Sequence, residues 1–245
     1  MRYWLNPKPA DPTLFAAQVQ AVCDCYLSAI EEFEQSGTRT VCVDEMTGLQ
    51  ALEQIAPMKP ARPGLIARQE FEYKRHGTIC LTGNFEVATG RVISPTFGTR
   101  RGEQDFLEHI QRTVATDPHV KWIFIVDNLN THSTVSLTRR INEYCELNCD
   151  LGIERRRGIL GSMASRKKFL SDRSHQIRFQ YLPKHTSWLN QIEIWFGILS
   201  RRVLKRGSFQ SLAQLQDKIE CFIEYFNATF SKPFKWTYTG RALNI

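Results

Sequence analysis

Three carboxylates stand where folding could bring them together. Asp44 closes the apolar run in TRTVCVD, Asp127 closes KWIFIVD, and Glu193 sits inside HTSWLNQIEIWF. Carboxylate oxygens are the hard ligands that Mg²⁺ and Mn²⁺ prefer, and such ions use one or two carboxylates together with substrate phosphate. Two ions about 4 Å apart can activate an attacking oxygen on one side of a phosphate and stabilise the leaving oxygen on the other. Three acids delivered to one sheet edge would suit metal-dependent phosphodiester chemistry, with two such ions as cofactor. Acids also end strands for purely structural reasons, so spacing alone leaves that alternative open.

Glu193 belongs to the stretch Tyr181 to Phe209, around which the chain is organised. Trp188, Ile192, Trp195, Phe196, Leu199 and Val203 recur at three- and four-residue steps, predicting a helix with one stripe facing a core and Ser187 as its cap. Trp188 is expected in the core; stacking on an unpaired base is the alternative. Glu193 lies off the centre of the stripe, with Asn190, Gly197 and Arg201 on its side. Lys184, Arg201, Arg202, Lys205 and Arg206 are candidate phosphate contacts, and His185 is grouped with them. An ordinary amphipathic helix with a solvated charged face is the competing account. His132, His175 and His185 could touch a metal or a phosphate, but a polar surface role is the preferred reading.

The elements that must position these residues follow from periodicity. Pro12 to Gln35 reads as a helix with Phe15, Val19, Val22, Tyr26 and Ile30 on one face. A short buried strand then ends at Asp44 and Glu45. Thr78 to Phe85 and Arg91 to Phe97 read as an antiparallel hairpin, Gly102 to Thr116 as a helix stopped by Asp117-Pro118, and Trp122 to Val126 as a second buried strand. Ser133 to about Cys149 is expected to be helical, QIRFQYL a third strand, and Ser211 to Phe230 a helix. Residues 150–175 have little periodicity and two basic clusters, Arg155 to Arg157 and Arg166 to Lys168, and are expected to form a partly mobile surface insertion able to clamp DNA or keep a loop soluble. The Pro-rich start should be extended, and the aromatic, basic tail from Ser231 should pack across the domain. The sum is an α/β chain, a mixed sheet flanked by helices.

With 245 residues and 42% hydrophobic composition, the chain can bury a full core. A net charge of +7 and a pI near 9.1 favour a polyanionic partner. Seven scattered cysteines without a CxxC pair are unlike a disulfide framework and fit a reducing cytoplasm. No apolar run of transmembrane length and no signal-peptide pattern stand out, so no membrane partner is expected.

The strings VDEMTG, IVDNLNTH and HTSWLNQIEIWF resemble the three signature blocks of bacterial insertion-sequence transposases of the mariner superfamily. The resemblance runs over roughly Arg2 to Ile245 and is most specific in the third block. It implies an RNase H-like core whose DDE acids are Asp44, Asp127 and Glu193, each a metal ligand, with Glu45, Asn128, His132 and Asn190 shaping the site. Residues 1–38 would be an arm and helix, and 39–245 the catalytic domain. It also implies metal-dependent DNA cleavage followed by strand transfer, DNA as partner, a possible homodimer, and work in the bacterial cytoplasm at the nucleoid. Two features depart from the family pattern. Asp127 and Glu193 are 66 positions apart, longer than usual, which points to the 150–175 insertion. The stretch before Asp44 is too short for helix-turn-helix modules, so the chain is expected to be a catalytic part, from a split or truncated element, with any separate DNA-recognition module supplied in trans. An RNase H-like nuclease without strand transfer and a non-catalytic DNA-binding remnant are the alternatives.

Overall fold

The computed structural model describes residues 11–57, 59–68, 70–205 and 207–238. The expected extended start, residues 1–10, and Arg206 lie outside them, as does the tail beyond Tyr238.

Five β-branched and aromatic runs form strands: β1 (Arg39–Gln54), β2 (Tyr73–Glu86), β3 (Val92–Gly98), β4 (Trp122–Val126) and β5 (Ile177–Tyr181). They make one mixed sheet in the order β3-β2-β1-β4-β5. The first three strands pair antiparallel, while β4 runs parallel to both β1 and β5. This is the mixed sheet expected, in an RNase H-like order. All five residues of β4 are buried, as befits a central strand covered on both faces.

Among the described residues, six α-helices cover the sheet: α1 (Pro12–Ser36), α2 (Glu103–Ala115), α3 (Val135–Tyr144), α4 (Met163–Leu170), α5 (Gln191–Leu199) and α6 (Leu212–Thr229). Residue alternation in β4 divides the core. Ile123 and Ile125 join α1, α5 and α6 on one face, while Trp122, Phe124 and Val126 join α2, α3 and α4 on the other. The tail packs on the first layer as expected, with Phe234 stacked on Phe85 at 4.5 Å and Trp236 against Tyr26 at 4.6 Å.

Several expectations are corrected. β1 does not end at its acids. It continues to Gln54 because β2 keeps supplying hydrogen-bond partners, from Asp44 opposite Gly83 to Gln54 opposite Tyr73, through a register shift between Met46 and Leu49. By length and composition α1 is apolar enough to cross a membrane, contrary to the expectation that no apolar run of that length is present. Here its Val19, Val22, Tyr26 and Ala29 are buried in the first core layer, and Ile30 is exposed. Asp11 caps it by accepting from the Thr13 and Leu14 amides, and Gly37 at φ 68° ends it. α3 stops at Tyr144, and Glu146 and Asn148 then take positive φ.

Residues 150–175 are not a loose insertion. A Ser162 to Ser165 capping pair starts α4, Phe169 and Leu170 are buried in the second core layer with Leu151 and Ile159 packed against it, and Leu160 is buried too. Nor does Ser187 cap α5. It opens a 3₁₀ turn, Ser187–Leu189, and α5 starts at Gln191. That turn lifts Trp188 out to 50% exposure, with an edge contact to Tyr238.

Candidate active site

Asp44 and Asp127 reach the same level of the sheet through strand register. The last parallel pair of β1 and β4 is Cys42 with Ile125, and each aspartate follows two residues later. Adjacent strands lie about 4.8 Å apart, so the two residues are neighbours across the ladder. Gly83 lies opposite Asp44 on the other side of β1, where a Cβ would come 2.8 Å from Ile192 Cδ1. The missing side chain lets α5, which carries Glu193, lie on the strand beside Asp44. Asn190, fully buried at the start of α5, donates to Val43 O at 3.0 Å and Asp44 Oδ2 at 3.2 Å, locking helix to strand at the acid.

Asp127 is held from the opposite layer. Its Oδ1 accepts from the Leu129 amide at 3.0 Å and from His132 Nδ1 at 2.8 Å. His132 Nε2 lies 3.2 Å from Glu45 Oε1. The imidazole is fully buried and packs on Phe106 at 4.2 Å, so the expectation of a surface histidine is wrong here. It is also wrong for His175, 6% exposed against Phe169. In both cases the partners come from remote parts of the chain, which local polarity does not reveal.

The protonation states follow from these contacts. Burial would lower the His132 pKa, but the hydrogen bonds and charges of Asp127 and Glu45 outweigh it and raise it to about 9. Asp127 is correspondingly lowered: burial pulls it up, and His132, the Leu129 amide and the charge of Arg101 more than offset that. Asp44 behaves differently. Burial, with the charges of Asp127, Glu45 and Glu193, pushes it up to about 7 against the Glu45 amide hydrogen bond. Glu193 lies on the exposed side of α5 and is raised by partial burial. Asp44 therefore feels all three neighbouring carboxylates.

The candidate cations separate into two groups. Lys184 and His185 are exposed in the loop after β5; burial, with the charge of Lys184, lowers the Lys167 pKa. Arg201, Arg202 and Lys205 lie beyond α5, at and just after a π-helical turn, Ser200–Leu204. Asn128 donates to Leu182 O and accepts from Lys167, tying the loop after β4 to the loop after β5 and to α4. Lys167 was read from sequence only within a basic cluster able to clamp DNA, not beside the acids, and Arg101 was not singled out. The capping pattern Ser162-x-x-Ser165 ahead of Arg166, Lys167 and Lys168 was the available signal for the first. Arg166 donates to Ser133 O at 2.7 Å and Tyr181 to His132 O at 2.7 Å, fixing the turn that bears the imidazole.

The donor set fits a hard divalent cation. Asp44, Asp127 and Glu193 supply carboxylate oxygens whose mutual repulsion a cation would relieve, and the buried Glu45 Oε2 and Asn190 Oδ1 have no hydrogen-bond partner. Among the described residues, no three His, Cys, Asp or Glu side chains are gathered closely enough to hold a metal ion between them. An open arrangement is compatible with Mg²⁺, which retains several waters and shares substrate oxygens.

A family model described as DDE superfamily endonuclease matches residues 39–216. No curated protein matches the chain. Among solved structures, the Mos1 strand transfer complex aligns at 14% identity and TM-score 0.49, over 94% of this chain and 58% of that one. The catalytic domain of Mos1 mariner transposase aligns at 12% identity and TM-score 0.43, over 92% and 86%. The Mos1 transposase catalytic domain with Mn aligns at 13% and 0.45, over 91% and 86%. The chain thus spans less than two thirds of the transposase chain in the strand transfer complex. The family match runs from the first residue of β1 into α6 and includes Asp44, Asp127 and Glu193, and the chain belongs to the DDE superfamily endonuclease family.

Proposed function

We propose that this chain is the catalytic part of a transposase. It would cut DNA at the ends of a mobile element and join the freed 3′-hydroxyl to target DNA, with Asp44, Asp127 and Glu193 holding two Mg²⁺ or Mn²⁺ ions. The observation that carries this reading is the strand register that sets Asp44 beside Asp127, with Asn190 locking the helix of Glu193 onto Asp44. Carboxylates brought to one sheet edge are poised to exchange protons for cations.

When bound, divalent ions would supply Lewis-acid activation and charge neutralisation at phosphorus. The chain's own residues do the positioning. His132 fixes the Asp127 carboxylate, Asn190 fixes that of Asp44, and α5 carries Glu193 over the same sheet edge. Lys184 and Lys167 on one side, and Arg201, Arg202 and Lys205 on the other, would bind phosphates flanking the cut. Cleavage and joining are both in-line displacements at phosphorus, so one site serves both. The protein would act as a homodimer on paired ends, in the cytoplasm of a bacterium.

The test is strand transfer of a labelled, pre-cut 3′-hydroxyl oligonucleotide into plasmid DNA with Mg²⁺ or Mn²⁺. Joined product that disappears with chelator and in Glu193→Gln is expected. Metal-dependent nicking without joining would replace the transposase reading with a nuclease, and equal DNA binding by both proteins with neither reaction would leave a non-catalytic remnant.

A further inference from the structure

A cavity of about 330 Å³ opens where the π-helical turn after α5, helix α6 and the tail meet. Its size falls in the range of small-ligand pockets, about 300–1,000 Å³. Five aromatic rings line it: Phe222, Tyr225, Phe226, Phe230 and Phe234. Tyr225 and Phe230 meet edge to face at 5.5 Å, yet remain 54% and 46% exposed. Two such rings left in solvent are poor core residues and good stacking surfaces.

The lip of the cavity is cationic. Arg201, Arg202 and Lys232 line it, and among the described residues none of them pairs with a carboxylate. Arg202 sits 5.9 Å from the centre of the Phe230 ring. The π-helical turn lies on the helix that carries Glu193, and Arg201 is eight residues past that acid, about 12 Å along the axis. Its guanidinium folds back to 3.3 Å from where a Gly197 Cβ would stand. Positive charge therefore lies on the same helix between Glu193 and the cavity.

We infer that this cavity holds an unpaired DNA base a few nucleotides from the scissile phosphate, with its backbone phosphates on Arg201, Arg202 and Lys232. This rests on the DNA-processing reading above and adds a site to it. Aromatic faces accept any base by stacking, and a cationic lip selects a polyanion over an apolar peptide. A base inside a duplex shows no free face, so the occupant is single-stranded or extruded.

The test is equilibrium binding in chelator, so that no cleavage occurs. A short blunt duplex is compared with the same duplex carrying a few unpaired thymidines at one 3′ end. The full chain should favour the extended form by about tenfold, within the range that base stacking supplies. Tyr225→Ala and Phe230→Ala, at exposed rings, should bring the two forms within about twofold while blunt-duplex affinity and melting temperature hold. Equal affinity of the unaltered chain for both forms, or a preference that survives in both variants, overturns the inference and leaves the proposed function standing. Failure to bind either DNA overturns both. A change of molecular mass in Tyr225→Ala with an unchanged DNA preference would assign the cavity to a second copy of the chain and overturn the nucleotide assignment.

Discussion

His132 and His109 are both fully buried, and their surroundings drive them in opposite directions. His109, on α2, meets neutral partners: Thr96 Oγ1 lies 2.8 Å from Nδ1 and Asn84 Oδ1 lies 3.0 Å from Nε2. Burial, aided by the charges of His132 and Arg112, pushes its pKa down to about 3. With Nε2–H donating to Asn84, Nδ1 is left to accept from the Thr96 hydroxyl, a neutral tautomer that knits α2 to β2 and β3. His132 meets two carboxylates, donates to both, and stays charged to about 9. Equal burial thus gives one structural and one electrostatic histidine, and the difference lies in the partner. A desolvated ion network is a costly way to fill space, so its presence beside Asp127 marks the region where charge has to be arranged.

The largest effect should come from breaking the charged side of this contrast at the acid. Asp127→Asn should reduce metal-dependent cleavage and joining to background. It should cost only about 1–3 kcal/mol of stability in urea unfolding, because Glu45 still pairs with His132. Next comes His132→Gln, which leaves Asp127 and Glu45 without their shared cation. Removing one partner of a buried pair costs about 3–5 kcal/mol, and loss of a group that orients a metal-binding carboxylate lowers metal affinity or activity about 10- to 100-fold. A melt within error of the unaltered chain would show that His132 is neutral and would erase the contrast with His109.

The contrast also shows what a sequence can reveal. The run Trp122 to Val126 is fully buried as a strand, and the apolar period of α6 places Leu215, Ile219, Ile223 and Phe226 inside, because those patterns are local. Asp44 and Asp127 were legible as acids after apolar runs. That β1 continues past Asp44 was not, since its support is β2, some forty positions downstream. His132 was visible as a residue, but Glu45, which holds it charged, is 87 positions away. Residues 150–175 misled because Leu151, Ile159, Phe169 and Leu170, which anchor them to the core, are scattered among basic residues and too irregularly spaced for a helical period to show. Trp188 misled for the opposite reason. It fits the period of α5, but the 3₁₀ turn before Gln191 changes the rotation per residue and turns the ring to solvent.

A smaller effect should mark the neutral side. The His109 pKa is depressed from 6.5 to about 3, so across that window the unfolded chain takes up a proton that the folded chain refuses. Its contribution to stability is therefore lost as pH falls from 6.5 toward 3, at up to about 1.4 kcal/mol per pH unit. Asp44, raised to about 7, works in the other direction and is present in any His109 variant. The difference between the full chain and His109→Gln should isolate the histidine. The variant, less stable at pH 7 through imperfect packing, should close the gap by about 2 kcal/mol at pH 5. A gap independent of pH would mean that His109 is not held neutral by burial.

The smallest effect concerns which cation holds Asp127 in place. Lys167 is half-buried, reaches Asn128, and senses the charge of Asp127, yet it contributes no hydrogen bond to that carboxylate. Lys167→Gln keeps a donor for Asn128 and removes the charge, so it should change stability by less than about 1 kcal/mol, as for other partly solvated pairs. DNA affinity should fall by a few-fold, and most at low salt, because one phosphate contact is lost. Loss of cleavage at saturating DNA would contradict this, since it would transfer to Lys167 the positioning role that geometry gives to His132. If cleavage persists while binding weakens, His132 and Lys167 are separated by function: the buried imidazole orients the acid, and the half-buried ammonium meets the substrate.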